Sequence, residues 1–369
     1  MVVLFIFTTQ MPATKEYPFY LKTTVILFGI ILFSYILFTI RDILIPLAFA
    51  VVISILLNPV YIRFRRWKTP PVVAITLTLL LAILVLGGIL FFLGTQLSLF
   101  SDTFPMLKQK LMQIITESQH WLQERFNISA KKQAEYLNKG VEGGTAMVGQ
   151  TLGTAIGMLG IFFLIPVYVF LFLYYKSLIL NFIYEVFAEE NSNHVGEILN
   201  QTKTAIQSYM VGLMLEMVIV AVMNSVALLL LGVDYAILLG VIGAILNLIP
   251  YIGGIIAIAL PVLMATVTKD GYTTQLGILA AYALIQFIDN NILVPRIVSS
   301  KVEINALVSI IVVLLGGAVW GVSGMFLSIP LVAILKIIFD RIPDLKPWGK
   351  LLGDDIPNNH KGQLWKRKR

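Results

Sequence analysis

Residues 235–268 read YAILLGVIGAILNLIPYIGGIIAIALPVLMATVT, a run of 34 residues without Asp, Glu, Lys or Arg. As one straight α-helix this run would be about 51 Å long, whereas the hydrocarbon core of a bilayer is about 30 Å thick. The interruption lies in NLIPYIGG, residues 247–254. Pro250 removes a backbone donor and clashes with the preceding turn, while Gly253 and Gly254 permit non-helical backbone. The stretch therefore predicts a broken membrane helix near residues 247–254, which is either a binding site or a structural kink.

The rest of the chain has the same apolar character. Of its 369 residues, 58% are hydrophobic and 13% are charged, whereas soluble domains have about 45–50% and about 25%. Three further charge-free runs, residues 69–101, 143–175 and 304–335, each exceed the roughly 20 residues that a helix needs to cross a bilayer. The sequence lacks the alternating strands of about ten residues that build a membrane β-barrel. We expect an all-α, polytopic integral membrane protein with about eight transmembrane helices.

Several function classes are excluded by residues that the sequence lacks. There is no cysteine, and the three histidines (His120, His194 and His360) are far apart and outside any metal-ligand spacing, so no metal site is expected. The chain has no phosphate-binding G-x-x-x-x-G-K-[ST] motif, and we expect no cofactor. The formal charge of +7 comes from basic residues that flank apolar spans, which indicates a lipid bilayer rather than nucleic acid as the partner.

The basic clusters predict the orientation of the chain. The loop 63–68 carries four basic residues, and the tail 336–369 ends in Lys-Arg-Lys-Arg, so both belong in the cytoplasm. Only Arg41–Asp42 separates the first two spans, which predicts a tight helical pair and a cytoplasmic N-terminus. Eight crossings satisfy these constraints. The predicted spans are residues 21–40, 43–62, 71–93, 145–175, 205–231, 235–268, 272–294 and 304–335.

These spans divide the chain into six regions. They are three N-terminal transmembrane helices (1–100), an extracytoplasmic amphipathic segment (101–142), a fourth transmembrane helix (143–175), a cytoplasmic helical segment (176–203), a transport region (204–335) and a basic cytoplasmic tail (336–369). The two polar segments either cover the helix bundle or form a gate or an oligomer contact. At the N-terminus, residues 1–7 are too short to span, and Met11 is an alternative start.

A stripe of small residues marks the fourth span. Glycine at every third or fourth position lets two helix backbones approach closely, which is how membrane helices associate. The stripe predicts helix packing, and together with the extramembrane helices it indicates a homo-oligomer. Its members are Gly149, Gly153, Gly157 and Gly160.

Polar groups near the end of the seventh span are the main candidates for a translocation site. An ionised carboxylate facing lipid costs about 2.5–3.5 kcal/mol, so these groups should face the bundle or a cavity. Asp289 either caps a helix or pairs with an arginine, or it belongs to a substrate or proton site. The candidate residues are Asn247, Pro250, Gly253, Gly254, Gln286, Asp289, Asn290, Asn291, Pro295 and Arg296.

Glu216 is a second ionisable group within an apolar span. Twelve uncharged residues precede it and 17 follow it. Its helix also carries Gln207, Gly212 and Asn224, which offer a polar and closely packed face. Glu216 is therefore either a proton carrier or a neutral, hydrogen-bonded structural residue.

Four stretches of the C-terminal half resemble the autoinducer-2 exporter family of bacterial PerM-like permeases. They are NLIPYIGG at 247–254, QFIDNNILVPR at 286–296, GGAVWGVSG at 316–324, and Pro330 with the apolar run after it. The resemblance implies about eight spans in the bacterial cytoplasmic membrane, no ATPase, and export of autoinducer-2 or other small solutes. It also implies cation/proton exchange for some members. Glu216 lies outside these motifs.

The sequence leaves three functions open. The first is a secondary transporter that exports a small polar solute between residues 247–254 and the Asp289 cluster, with possible proton or Na⁺ coupling. The second is a Na⁺/H⁺ antiporter that uses Asp289 and Glu216 as alternating carboxylates. The third is an oligomeric channel or scaffold. An enzyme is not expected, because no histidine in a span accompanies the serine and threonine hydroxyls.

Overall fold

The fold was analysed in a computed structural model. The residues it describes are 18–101, 163–187, 192–249, 252–269, 271–298 and 304–354, with isolated positions between 109 and 124. They are mostly helical, and the strand-like pairing among them is one isolated bridge between Ile304 and Gly353. In this part of the chain six helical segments are long and apolar enough to cross a membrane, or seven if the bent pair Phe163–Tyr174 and Lys176–Val186 is one span, and one of the six, Ala306–Arg341, is the reversed helix described below. The predicted all-α polytopic membrane fold is confirmed.

The chain forms two compact units, residues 1–44 and 45–369. The first unit contains helix α1, Phe19–Thr39, and the beginning of α2, Arg41–Arg66. Large apolar side chains are exposed around the whole of α1. The hydroxyls of Thr23 and Thr24 donate to backbone carbonyls four residues earlier, at 2.9 and 2.8 Å, so they need no water. A helix of this kind is suited to contact with lipid.

The second unit contains the remaining helices. They are α3 (Pro71–Ser101), α4 (Phe163–Tyr174), α5 (Lys176–Phe187), α6 (Ser192–Leu230), α7 (Ala236–Asn247), α8 (Ile252–Thr268), α9 (Thr273–Ile288), a π-helix (Asp289–Val298), α10 (Ala306–Arg341) and α11 (Lys346–Leu352). A bend of 62° separates α4 from α5. Ala50 of α2 is buried against Val169 and Leu173 of α4, so the described end of the fourth predicted span packs beside α2.

The run 235–268 folds as an antiparallel helical hairpin, called here the first hairpin. Its helices α7 and α8 have 12 and 17 residues, so each is shorter than the hydrocarbon core. A continuous helix would separate Gly243 from Ala257 by about 21 Å. Instead, an ideal β-carbon on Gly243 lies 3.4 Å from the β-carbon of Ala257. The predicted break near residues 247–254 is confirmed, and the chain reverses direction there.

Helix α10 also reverses direction, at Gly321, and forms a second hairpin with arms 306–320 and 322–341. Gly321 has φ 61° and ψ −143°, a backbone conformation that glycine adopts without steric cost. A β-carbon on Gly316 would collide with the Ser328 hydroxyl, and one on Gly324 with the Gly316 carbonyl oxygen, so the arms touch. The sequence predicted one span over residues 304–335, and two closely packed arms take its place because glycines line their contact.

The two hairpins start from opposite ends of α6. The first hairpin follows the C-terminal end of α6, where Leu231 lies against Gly277 at the beginning of α9. In the second hairpin the open end, where both arms terminate, lies near the other end of α6. Its last residue, Arg341, donates from its guanidinium to the carboxylate of Glu197 near the beginning of α6. Helix α9 and the π-helix connect the two hairpins, so the two hairpins point in opposite directions.

Several predicted features lie outside the described residues. They are the glycine stripe (Gly149, Gly153, Gly157 and Gly160), most of the amphipathic segment 101–142, Pro250, the N-terminal residues 1–17 and the end of the tail, 355–369. The isolated described positions between 109 and 124 are helical.

Candidate functional site

A cavity of about 610 Å³ lies where the tip of the first hairpin meets α6, the junction of α9 with the π-helix, and the second hairpin. Each of these elements contributes at least one polar side chain to the wall. The polar residues that line it are Tyr209, Glu216, Asn247, Gln286, Asp289, Asn290 and Ser309. Most of the remaining wall is aliphatic, which is typical of small-molecule sites.

Asp289 lies at the centre of the polar wall, where α9 gives way to the π-helix. Its side chain is only 2% exposed. Oδ2 accepts a hydrogen bond of 3.0 Å from Nδ2 of Asn247, the last residue of α7. Oδ1 is buried and receives no hydrogen bond from an amide, a hydroxyl or a backbone N–H among the described residues, and the group beside Asp289 is the carboxyl of Glu216. A buried carboxylate oxygen without a donor is costly, so this oxygen points to a proton, a cation or a solute group as its partner.

Glu216 of α6 brings a second carboxyl group to the same wall. It is 6% exposed, and its carboxyl group is close enough to that of Asp289 for the two to interact directly. Two ionised carboxylates repel each other strongly in a poorly hydrated site, and one proton or one cation between them removes the repulsion. The pair can therefore bind and release a positive charge.

Amide groups and a close backbone approach complete the site at the hairpin tip. Nε2 of Gln286 donates to Oδ1 of Asn290 at 3.3 Å. A β-carbon on Gly254 would lie 3.3 Å from Oε1 of Gln286 and 3.7 Å from Oδ1 of Asn247, so glycine lets the hairpin approach these amides. A β-carbon on the adjacent Gly253 would collide with the Leu246 carbonyl oxygen. The two glycines therefore fix the shape of the tip.

The structure brings only part of the predicted cluster to the cavity. Asn291 is exposed, and its Nδ2 donates to the Phe287 carbonyl oxygen at 2.8 Å, so it caps its own helix. Pro295 and Arg296 are exposed further along the π-helix. A regular helix already turns Asn291 and Pro295 away from Asp289, whereas Arg296, seven positions later, would share its face, and the wider π-helical turn moves Arg296 off it.

Further polar residues extend the site behind Asp289. A void of about 10 Å³, the size of one water molecule, is lined by Asn224, Tyr282 and Asp289. The Asn224 Oδ1 and Tyr282 hydroxyl atoms are buried without hydrogen-bond partners in the described part of the chain. Asn224 was visible in the sequence as a polar residue on the Glu216 helix, whereas Tyr209, Tyr282 and Ser309 carried no sequence signal.

Comparison with known proteins matches residues 23–344 to the model of the AI-2E family transporters. The chain is 27% identical over 317 residues to the AI-2 transport protein TqsA of Escherichia coli K12, covering 85% of this chain and 90% of that protein. It is 30% identical over 340 residues to the putative permease PerM of the same organism, covering 86% and 90%. A putative transport protein of Haemophilus influenzae is 25% identical over 327 residues, covering 85% and 90%.

Proposed function

The chain belongs to the AI-2E transporter family, and we propose that it is a secondary transporter that exports a small polar solute across the bacterial inner membrane. The observation that carries this proposal is a pair of buried carboxyl groups, Asp289 and Glu216, that interact directly in the wall of a cavity of about 610 Å³. Burying two carboxyl groups side by side in an apolar span is costly, so the pair is expected to have a function beyond packing. Both residues line the cavity, so a solute or cation that enters it lies beside the pair.

The chemistry of the wall suits a hydroxyl-rich solute. Asn247, Gln286 and Asn290 supply amide donors and carbonyl acceptors around Asp289. Paired donors and acceptors can replace the water shell of several hydroxyl groups at once, and the aliphatic remainder of the wall accepts the carbon skeleton. Autoinducer-2 is the first solute to test, because it appears in the name of the TqsA relative.

A second candidate function is Na⁺/H⁺ antiport through the same site. It is favoured by the direct interaction of the Glu216 and Asp289 carboxyl groups. In this case the pair would bind either one Na⁺ or one proton in alternation, and the amides would complete the oxygen ligands of the cation.

Purified protein in liposomes separates these functions. Efflux of labelled autoinducer-2 and the response of an internal pH dye to added Na⁺ are measured on the same preparations. We expect Asp289→Asn to reduce solute flux at least tenfold while its melting temperature stays within 3 °C of the wild type, since the substitution keeps the size of the side chain. The matched control is Asp234→Asn, at an exposed aspartate between α6 and α7. Wild-type flux through Asp289→Asn would remove the carboxylate from the mechanism.

Glu216→Gln tests the coupling ion, with Glu185→Gln at an exposed position of α5 as its control. In a proton-coupled exporter, solute flux should lose its dependence on the proton gradient in this variant. In a Na⁺/H⁺ antiporter, the dye response to Na⁺ should disappear without any solute present. Flux that depends on the gradient as in the wild type would exclude Glu216 from coupling.

A further inference from the structure

A second cavity, of about 460 Å³, lies between α2, the α4–α5 bend and the first turns of α6. No described residue lines both this cavity and the one around Asp289. Among the described residues its polar lining consists of two lysines and several neutral side chains, without a carboxylate. The polar lining residues are Ser54, Asn58, Lys176, Tyr184, Asn200, Thr202 and Lys203.

Two positive charges face this cavity. Lys176 begins α5 and Lys203 lies on α6, and both side chains are half-buried. The two ammonium groups are close enough to influence each other electrostatically. Neither forms an ion pair with an acidic residue in the described part of the chain. Two like charges held together without a counter-charge are unfavourable until an anion binds between them.

Two neutral donors in the same cavity also lack partners. Asn58 is 4% exposed, and its Oδ1 accepts a hydrogen bond of 3.0 Å from Nζ of Lys176. Because lysine can only donate, this bond fixes the amide orientation and leaves Nδ2 as a buried donor without an acceptor among the described residues. The Thr202 hydroxyl is also buried and has no hydrogen-bond partner among the described residues. In contrast, the Ser54 hydroxyl donates to the Val51 carbonyl oxygen at 2.8 Å.

The cavity therefore combines four donors, two of them charged, and the described part of its lining holds no competing carboxylate. We propose that it binds a phosphate group, with Lys176, Lys203, Asn58 and Thr202 as the donors. A phosphate has enough acceptor oxygens to satisfy all four at once, and charge-assisted hydrogen bonds of this kind are among the strong ones. This site is additional to the transport function proposed above and does not depend on it.

The position of the site admits two sources of phosphate. Asn58 lies five residues before Arg63 on α2, about 7.5 Å along the helix from the basic loop 63–68 that is predicted to be cytoplasmic. This is the depth at which anionic lipid headgroups meet basic residues. Most of the lining is apolar, with Val51, Ile55 and Phe172 among it, so acyl chains could follow the headgroup. A soluble phosphate ester entering from the cytoplasm would satisfy the same donors.

Thermal unfolding of delipidated full-length protein in a neutral detergent tests the proposal. One arm adds phosphatidylglycerol in mixed micelles, with phosphatidylcholine as the uncharged reference. The other arm adds glycerol 3-phosphate, with sodium chloride at matched ionic strength as the reference. We expect one of the two phosphate compounds to raise the melting temperature by several degrees above its reference. Stabilisation by lipid alone assigns the site to headgroups, and stabilisation by the ester assigns it to a soluble ligand.

Variants show whether the effect arises in this cavity. Lys176→Gln and Lys203→Gln should each weaken the apparent affinity about tenfold or more, since each removes one charged donor. Lys350→Gln removes one charge from an exposed site on α11 and should leave the affinity within twofold of the wild type. Thr202→Val keeps the shape of the side chain and should also weaken binding. This variant still tests the site if a lysine variant does not fold. The proposal would be overturned if all four variants had the same apparent affinity, or if neither phosphate compound raised the melting temperature above its reference.

Discussion

Cysteines introduced together at Gly243 and Ala257 should form a disulfide in high yield. The natural chain has no cysteine, so these would be its only thiols. A β-carbon on Gly243 lies 3.4 Å from the Ala257 β-carbon, close to the mean of about 3.8 Å in disulfides. If residues 235–268 continued in one direction through the break, the two positions would be about 21 Å apart and no disulfide could form. The cross-link therefore distinguishes a hairpin from a crossing helix.

The assay oxidises membranes with copper phenanthroline and then labels the remaining thiols with a maleimide polymer that shifts the protein on a gel. The hairpin predicts no shift until a reductant is added. Leu213→Cys with Ala227→Cys has the same separation of 14 residues within the uninterrupted α6 and should take up two labels before and after oxidation. Two labels on the Gly243 and Ala257 pair after oxidation would refute the hairpin. Gly243→Ala alone checks folding, because Asn224 Nδ2 lies 3.4 Å from the new carbon.

The same cross-link reports how the first hairpin moves during transport. Its arms enclose a buried apolar cluster that includes Leu239, Ala257 and Met264, so separating them would expose core side chains. We expect the hairpin to move as one body, and solute flux should be equal in the oxidised and reduced protein. Flux that appears only after reduction would show instead that the arms open.

Three further outcomes are expected. Gly253→Ala should destabilise the protein by about 1–3 kcal/mol, because the new carbon meets the Leu246 carbonyl oxygen, whereas Gly88→Ala on α3 meets nothing within 4 Å and should be neutral in the same thermal unfolding assay. Gly321→Ala should cost about 1–3 kcal/mol from its φ of 61° alone, since no atom lies within 4 Å of the added carbon, and an unchanged melting temperature would contradict this. In intact cells, an impermeant maleimide should not label Lys361→Cys, and external labelling would contradict the predicted cytoplasmic tail.

Charge-free runs were sufficient to predict the fold class, because the bilayer allows few spanning structures. The break in the first hairpin was visible for a similar reason, since Pro250 and the paired glycines are incompatible with a straight helix. The direction of the chain after the break was not predictable. Apolar residues on both sides of a break are equally suited to a crossing and to a reversal, and only contacts such as Gly243 with Ala257 distinguish the two.

The sequence predicted which kinds of polar residue form the candidate site, but not how they are arranged in space. Asp289 stood out because a carboxylate within an apolar span is costly. Its neighbour Asn291 is exposed because it lies two positions further along, about 200° around even a regular helix, and so faces away from Asp289. The interaction of Asp289 with Glu216 joins positions 73 residues apart, and the phosphate donors Asn58 and Lys176 are 118 residues apart. Neither pairing has a signal in local sequence.

The two hairpins change the predicted number of bilayer passages, but the number stays even. A hairpin returns to the leaflet from which it entered, so each one subtracts one passage from the eight that the apolar runs predicted. The prediction becomes six passages instead of eight, and the even number keeps the predicted placement of the loop 63–68 and the tail on the same side. A single hairpin would have made the number odd and put the two basic clusters on opposite faces of the membrane. The positions of the basic clusters therefore require either two hairpins or none. An insertion that turned one hairpin alone into a crossing helix would force one basic cluster across the bilayer.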